Sequence, residues 1–217
     1  MHRSRCATVA TPWKAPSPVP RPLDLLIAGL AAAVLSPLFA LLAFAVRWRL
    51  GRPVLFRHER AGRDGAPFTL WKFRTLSDER TPDGALLADE ARLAGFGRRL
   101  RSSSLDELPE LWNVIRGDMA LVGPRPLPTS YLTRYMPDEA RRHEVRPGIT
   151  GWAQVNGRNA ISWEERLAMD VWYVDNRSFW LDIKILLRTV GAVVSRHGVT
   201  ADGHATMTEL RPQEVPS

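Results

Sequence analysis

Residues 23–46, LDLLIAGLAAAVLSPLFALLAFAV, constrain this chain most: 20 of the 24 are apolar, and Asp24 is the only charge. As one unbroken helix at 1.5 Å per residue the segment would measure roughly 36 Å, enough to cross a bilayer core. A core helix normally shows a polar face, and none is visible here. A cleaved signal peptide fits poorly, because the run is too long and begins only at residue 23. The expectation is membrane insertion. Ser36-Pro37 lies just past the middle, where proline removes a backbone hydrogen bond and breaks or kinks the helix. Two arrangements stay open on physics alone. One is a re-entrant helix–break–helix that returns to the face it entered. The other is a kinked single span.

Charge bears on that choice. The chain has 217 residues and a net charge of +7. Residues 1–60 hold nine Lys and Arg against Asp24 and Glu59, while residues 61–217 balance 21 basic against 21 acidic groups. The excess is therefore gathered around the apolar segment, with Arg3, Arg5, Lys14 and Arg21 before it and Arg47, Arg49, Arg52, Arg57 and Arg60 after it. A nucleic-acid-binding domain spreads its basic groups over the folded surface, so no nucleic acid is expected and anionic membrane lipid is. Both flanks meet the positive-inside preference, which a re-entrant segment satisfies at once. Trp48 among arginines fits an interfacial anchor. A single cysteine, Cys6, excludes an intrachain disulfide and any multi-cysteine metal site.

The remainder reads as one α+β domain, mostly helical. Residues 1–22 carry five prolines and no acid and read as a disordered tail. PVLF and FTLWKFRTL, joined by AGRDGAP, predict a β-hairpin over 53–76. On its second strand Phe68, Leu70, Lys72 and Arg74 share a face by the period of two. Residues 86–100 read as a weak amphipathic helix. Ser104 and Glu107 have capping-box spacing, with Pro109 disturbing the turn that follows. LVGPRPLP has three prolines in the five residues 124–128 and reads as a rigid loop; residues 146–159 read as an ordered loop. A second capping box, Ser162 and Glu165, opens a helix with Trp163, Leu167, Val171 and Val174 on one face. A last helix over about 179–194 stripes Phe179, Ile183, Leu186, Leu187, Val190 and Val194. Such a stripe is usually core, but with Trp163, Trp172 and Trp180 present it also suits a bilayer surface.

No nucleotide-binding glycine loop, zinc-protease motif, nucleophile elbow or EF-hand loop is present. The candidates for chemistry are carboxylates and cations. Asp106-Glu107 opens a helical turn, where acids also occur for dipole and capping reasons alone. Lys72 and Arg74 leave one strand face, Arg101 precedes the acids, and Arg125 is held between two prolines. Carboxylates beside preordered cations are what phosphoryl transfer needs: one can attack phosphorus, another can hold magnesium, and the cations take phosphoryl charge. A carboxylate of ordinary pKa, about 4, is ionised at pH 7 and needs no general base. A non-catalytic membrane adapter and an anchored phosphohydrolase are the alternatives on these residues.

The order of the long motifs goes further. The apolar helix with Ser36-Pro37, LWKFRTLSDER, RSSSLDELPELWNVIRGDMALVGPRPL and RPGITGWAQVNGRNAISWEERLAMDVWYV together resemble the small monotopic phosphoglycosyl transferases, bacterial sugar transferases of the PglC type. The resemblance runs from about Pro22 to about Glu209. It implies transfer of a phosphosugar, with an N-acetylated sugar expected, from a UDP-sugar to polyprenol phosphate, releasing UMP. It implies magnesium and a ping-pong route at the cytoplasmic face of the bacterial inner membrane. By motif, Asp106 would be the nucleophile of a phosphosugar–aspartyl intermediate and Glu107 a magnesium ligand. Lys72, Arg101, Arg125 and Arg158 would hold phosphates, and Asp182, in LDIK, matches a further functional position. Ser36-Pro37 matches the family's re-entrant break. The expected divisions are a basic tail at 1–21, a re-entrant helix at 22–50, a catalytic domain at 51–205 and a C-terminal tail at 206–217. The Pro-rich tail departs from the pattern, and nothing in the resemblance gives it a role.

Overall fold

A computed structural model describes residues 20–93, 95–157, 161–195 and 210. The apolar segment forms two helices, α1 (Arg21–Val34) and α2 (Ser36–Arg49), bent by 60° at Leu35. The break has a local cause. Pro37 has no N–H to give the carbonyl of Ala33 four residues back. The Ser36 hydroxyl donates to that oxygen instead, at 2.8 Å. Among the described residues no single helix is long and apolar enough to cross a membrane; the bent pair is, by length and composition. One face of the pair is packed, with Ala28 and Val46 fully buried. The other leaves Leu26, Leu30, Val34, Leu41, Phe44 and Trp48 more than 60% exposed.

The start of α1 is pinned to the domain. Arg21 donates to the carbonyls of Met119, at 2.9 Å, and Val114, and lies 3.6 Å from Asp24 one turn on. Val114 lies in the last turn of a later helix, whose carbonyl end attracts cations, and Met119 follows that helix.

The hairpin forms as expected, although its first strand lies further along than PVLF. Strands β1 (Leu55–Ala61) and β2 (Pro67–Phe73) pair antiparallel with Leu55 opposite Phe73 and Ala61 opposite Pro67. The weak helix over 86–100 is instead two short ones, α3 (Asp89–Arg92) and α4 (Gly95–Ser102). The Ser104 capping box does not form. Ser104 is left-handed, at φ 55°, its side chain caps nothing, and a single 3-10 turn, Leu105–Glu107, follows. Pro109 then opens α5 (Glu110–Arg116), so the irregular start expected from that proline is present. Buried Asn113 ties α5 to β2: its amide donates to the Thr69 carbonyl at 2.7 Å and its oxygen accepts from the Trp71 N–H at 3.2 Å.

Residues 146–159 are more ordered than a loop. Strand β3 (Ala120–Val122) pairs parallel with β4 (Gly148–Thr150), forming a second two-stranded sheet that local sequence did not indicate. The pairing depends on Gly123 and Gly148, since a Cβ on Gly148 would stand 2.1 Å from the Gly123 nitrogen. A short helix α6 (Pro137–Ala140) lies between these strands, and α7 (Trp152–Asn156) follows them. The Ser162 capping box forms in full and opens α8 (Trp163–Asn176). The buried face of α8 is Arg166, Leu167, Asp170, Tyr173 and Val174, so it carries two charges that the apolar pattern alone missed. The last helix is α9 (Phe179–Ser195). Its stripe is only partly packed, with Leu186 against the core. Asp182 and Ile185 face inward, while Leu187, Val190 and Trp180 are exposed.

The main core joins Ala28, Leu70, Leu111, Val114, Met119, Val122, Tyr173, Val174 and Ile185, so α1 shares one interior with β2, α5, α8 and α9. A second cluster joins α2 to the hairpin and α4 through Leu42, Val46, Phe73 and Leu100. Residue Leu210 is buried with Leu127, Tyr131 and Leu167.

Helix α4 approaches the chain after β2 as closely as backbones allow. A Cβ on Gly97 would stand 1.9 Å from the Thr75 carbonyl oxygen. Gly97→Ala is therefore expected to cost about 2–3 kcal/mol through forced separation, a drop of roughly 5–10 °C in Tm. Gly191→Ala, with nothing within 4 Å of its added Cβ, should leave Tm unchanged or slightly raised. Thermal denaturation of the detergent-solubilised protein checks both; equal Tm values for the two variants would contradict the packing described.

Candidate active site

Three segments far apart in sequence meet at one carboxylate. Lys72 near the end of β2 reaches Glu107 in the 3-10 turn, Nζ to Oε1, at 2.6 Å. Arg125 in the Pro124–Pro128 loop reaches the same oxygen at 2.7 Å. Lys72 also lies 3.0 Å from Glu110, a carboxylate that is 3% exposed at the start of α5. The neighbouring Asp106 is buried too, but no hydrogen bond or ion pair from another described residue holds its carboxylate. The two adjacent acids are thus in different states: Glu107 is clamped through one oxygen, and Asp106 is left open.

Electrostatics separates them further. Burial alone would raise the Glu107 carboxyl, but Arg125 and Lys72 hold it well below the usual carboxylate range. Burial and then the adjacent Glu107 charge push Asp106 up to about 6, against the pull of Lys72, Arg101 and Arg125. Asp106 is still mostly ionised at pH 7, but its basicity is above the ordinary value expected from sequence. Burial also pushes Glu110 up to about 7. For Lys72 burial opposes charge, and Glu110 and Glu107 outweigh it, so the ammonium is kept.

Each cation has a scaffold. Arg101 closes α4, donates from Nε to Thr75 Oγ1 at 3.1 Å, and lies near enough to Asp106 to stabilise its charge. Arg125 is held from behind. Buried Arg142 donates to its backbone carbonyl at 2.7 Å and to Asp170 on α8 at 2.7 and 3.1 Å. A buried pair of this kind costs desolvation and is a poor source of net stability, but it fixes geometry through three directed bonds. Here the geometry it fixes is that of the Arg125 loop.

The sequence-predicted residues divide accordingly. Lys72, Asp106, Glu107 and Arg125 are brought together, and Arg101 stands beside them. Arg158 lies outside the described residues. Arg74, placed with Lys72 by strand period, instead pairs with Asp78 at 2.5 Å. Asp182 lies in a different place. It accepts from the Tyr173 hydroxyl at 2.7 Å and lines a cavity of about 340 Å³ with Arg21, Asp24, Arg146 and Arg177. Ser36 and Pro37 form the bend already described. Sequence reasoning missed Glu110, although its spacing of three from Glu107 was a usable signal. It also missed Arg142 and Asp170, which are 28 residues apart and have no local signature.

The donor set suits a hard divalent cation. Glu107 spends Oε1 on its two cations, Asp106 is unclamped, and all available ligands are oxygen. Among the described residues no group of three or more His, Cys, Asp or Glu forms a ready metal cage.

A family model described as bacterial sugar transferase matches residues 16–196, and the chain belongs to that family. It is 58% identical over 161 residues to an uncharacterized sugar transferase, EpsL, of Bacillus subtilis, covering 74% of this chain and 80% of that one. It is 42% identical over 185 residues to a UDP-glucose:undecaprenyl-phosphate glucose-1-phosphate transferase of Caulobacter vibrioides, covering 81% of this chain and 69% of that protein. It is 34% identical over 195 residues to a UDP-N-acetylgalactosamine-undecaprenyl-phosphate N-acetylgalactosaminephosphotransferase of Aeromonas hydrophila, of whose length this chain spans 46%.

One group beside the Arg142 strut gives a pH signature. His143 is buried, its Nδ1 donates to the Gly62 carbonyl at 3.1 Å, and burial with adjacent Arg142 pushes its pKa down to about 4 from 6.5. The folded state therefore holds it neutral while the unfolded state protonates near 6.5. Its stabilising contribution is present above pH 6.5 and is lost as pH falls toward 4, up to about 3 kcal/mol. Denaturation midpoints of the wild type should fall across that window and those of His143→Gln should fall less. Parallel profiles would contradict a buried neutral His143.

Proposed function

We propose that this protein transfers a phosphosugar from a UDP-sugar to polyprenol phosphate, giving polyprenyl-diphosphate-sugar and UMP. The observation that carries the reading is the split carboxylate pair, Asp106 open and Glu107 clamped by Lys72 and Arg125. It is supported by family membership and by relatives named for undecaprenyl-phosphate sugar phosphotransfer. Their names include both a hexose and an N-acetylhexosamine, and an N-acetylated sugar is the expectation from the motif resemblance.

In the first half-reaction a carboxylate oxygen of Asp106 attacks the phosphorus that carries the sugar. The P–O bond to the uridine-bearing phosphate breaks, and UMP leaves with the bridging oxygen. In the second, a phosphate oxygen of the polyprenol attacks the same phosphorus and the Asp106 carboxylate is regenerated. Lys72, Arg101 and Arg125 take the charge on the phosphoryl oxygens, the usual source of acceleration in phosphoryl transfer. Asp106 would need no base in either step, and its raised basicity makes it a better nucleophile than an exposed aspartate. Glu107 would hold a magnesium ion, whose contribution is to neutralise diphosphate charge.

The lipid acceptor requires a site at headgroup level. In this reading α1 and α2 enter the cytoplasmic leaflet of the bacterial inner membrane and return, monotopic, with the exposed Leu26–Trp48 rows against acyl chains and both basic flanks on anionic lipid. The exposed apolar face of α9, with Trp180 77% exposed, lies on the same bilayer surface.

Asp106→Asn is expected to abolish UMP release and covalent labelling by radiolabelled UDP-sugar while leaving Tm near wild type; label on the Asn variant would remove the nucleophile assignment. Lys72→Ala and Arg125→Ala should each slow turnover at least about tenfold, the worth of one charge-assisted phosphate contact, whereas Arg141→Ala on the surface should not. Topology has a separate test. Cys6 precedes the bent pair, so an impermeant thiol reagent should label it only after cells are permeabilised. Labelling in intact cells would mean a spanning helix.

A further inference from the structure

One cation beside the site is accounted for by nothing in the reaction described. Arg60, near the end of β1, pairs opposite Phe68; His58 opposes Leu70 and Phe56 opposes Lys72. Directly opposed residues of an antiparallel pair share a face. Arg60 therefore leaves the hairpin on the Lys72 side, two pairs further along. Its backbone is fixed to the Arg125 loop: Arg60 bridges Pro128, and the next N–H, of Ala61, donates to the Leu127 carbonyl at 2.9 Å.

The guanidinium is partly shielded, and its Nε is buried with no hydrogen-bond partner. No described carboxylate forms an ion pair with it. The neighbouring arginines differ in this respect, since Arg125 meets Glu107, Arg142 meets Asp170 and Arg74 meets Asp78. Burial and then the like charge of Arg125 depress the Arg60 pKa to about 10, and Glu110 only partly offsets them. A desolvated cation near a second cation is unfavourable unless an anion joins them. One that bridges both would meet the donor fork of each guanidinium, a geometry suited to phosphate oxygens.

We propose that Arg60 and Arg125 form an anion subsite for a substrate phosphate, next to the Asp106–Glu107 centre. The inference rests on the transferase reading for the identity of the substrate and not for the existence of the subsite. Two substrates could supply that phosphate, the UDP-sugar and the polyprenol phosphate.

The test uses the full-length protein in detergent, with Arg60→Met to keep the apolar stem and Arg60→Lys to keep the charge. Inorganic pyrophosphate without divalent cation is the binding probe. It should raise the Tm of the wild type most, that of Arg60→Lys less, and that of Arg60→Met least. Equal shifts in the wild type and Arg60→Met, or none in the wild type, overturn the subsite. If Arg60→Met does not fold, the Lys variant decides, since it retains the charge but not the fork: a shift equal to wild type then counts against the proposal. Steady-state UMP release distinguishes the sources. An increase of about tenfold or more in KM for UDP-sugar assigns the nucleotide diphosphate, and the same change in KM for polyprenol phosphate assigns the lipid. Wild-type KM values for both substrates in Arg60→Met overturn the proposal while leaving the transferase reading intact. Absent turnover in the wild type would reject that reading, and the pyrophosphate shift would still decide the subsite.

Discussion

Glu107 Oε1 is the point on which this molecule depends. Three segments separated by 35 and 18 residues, a strand end, a 3-10 turn and a proline-framed loop, converge on that one atom through Lys72 and Arg125. Two cations on one carboxylate oxygen hold each other in place despite their mutual repulsion. They also leave a carboxylate one residue away with no hydrogen bond or ion pair from another described residue. Asymmetry between adjacent acids is the condition for giving them different tasks, and here it comes from position relative to two cations, since both acids are largely withdrawn from water.

The rest of the fold can be understood as what keeps those segments in register. Gly97 lets α4 press against the backbone of Thr75, which sets Arg101. Asn113 joins α5 to the edge of β2, which sets the distance from Lys72 to the acids. Gly123 and Gly148 let β3 and β4 touch, which sets where the loop carrying Arg125 begins, and Arg142 with Asp170 sets where that loop lies. None of these contacts involves a residue that would touch a substrate. Asn113, Arg142 and Asp170 are themselves buried polar groups, a costly interior whose return is geometry rather than stability.

What could be read from sequence follows the range of the interaction responsible. The hairpin, the Ser162 capping box and the break at Ser36-Pro37 are written within a few residues of where they act, and all three are present. Ser104 shows the limit of such reasoning: its spacing to Glu107 satisfies a capping box, but Glu107 is taken by Lys72 and Arg125, and the turn becomes 3-10 with Ser104 left-handed. A local motif lost to a tertiary contact. The parallel β3–β4 pair and the Arg142–Asp170 strut join positions 28 residues apart, beyond any local period. On α9 the apolar stripe was visible, but periodicity records that a face is apolar and not what covers it. The face turned inward holds Asp182 and Ile185, and Leu187 and Val190 remain outside.

The bent helix pair and the site are not separable modules. Ala28 of α1 lies in the same core cluster as Leu111 and Val114 of α5, and Arg21 binds the Val114 carbonyl in the last turn of that helix and the Met119 carbonyl just beyond it. Leu42 and Val46 of α2 pack with Phe73, the residue after Lys72. Each arm of the bent pair thus grips an element that carries part of the carboxylate–cation cluster, α1 the helix after Asp106 and Glu107, α2 the strand of Lys72. The angle between the arms is set at Leu35 by the missing Pro37 N–H and the Ser36 hydroxyl that replaces it. Straightening the bend would pull those two grips apart, so the geometry at residue 36 and the geometry at Glu107 are linked through two packed cores. The position of the bent pair and the position of Asp106 are therefore set together.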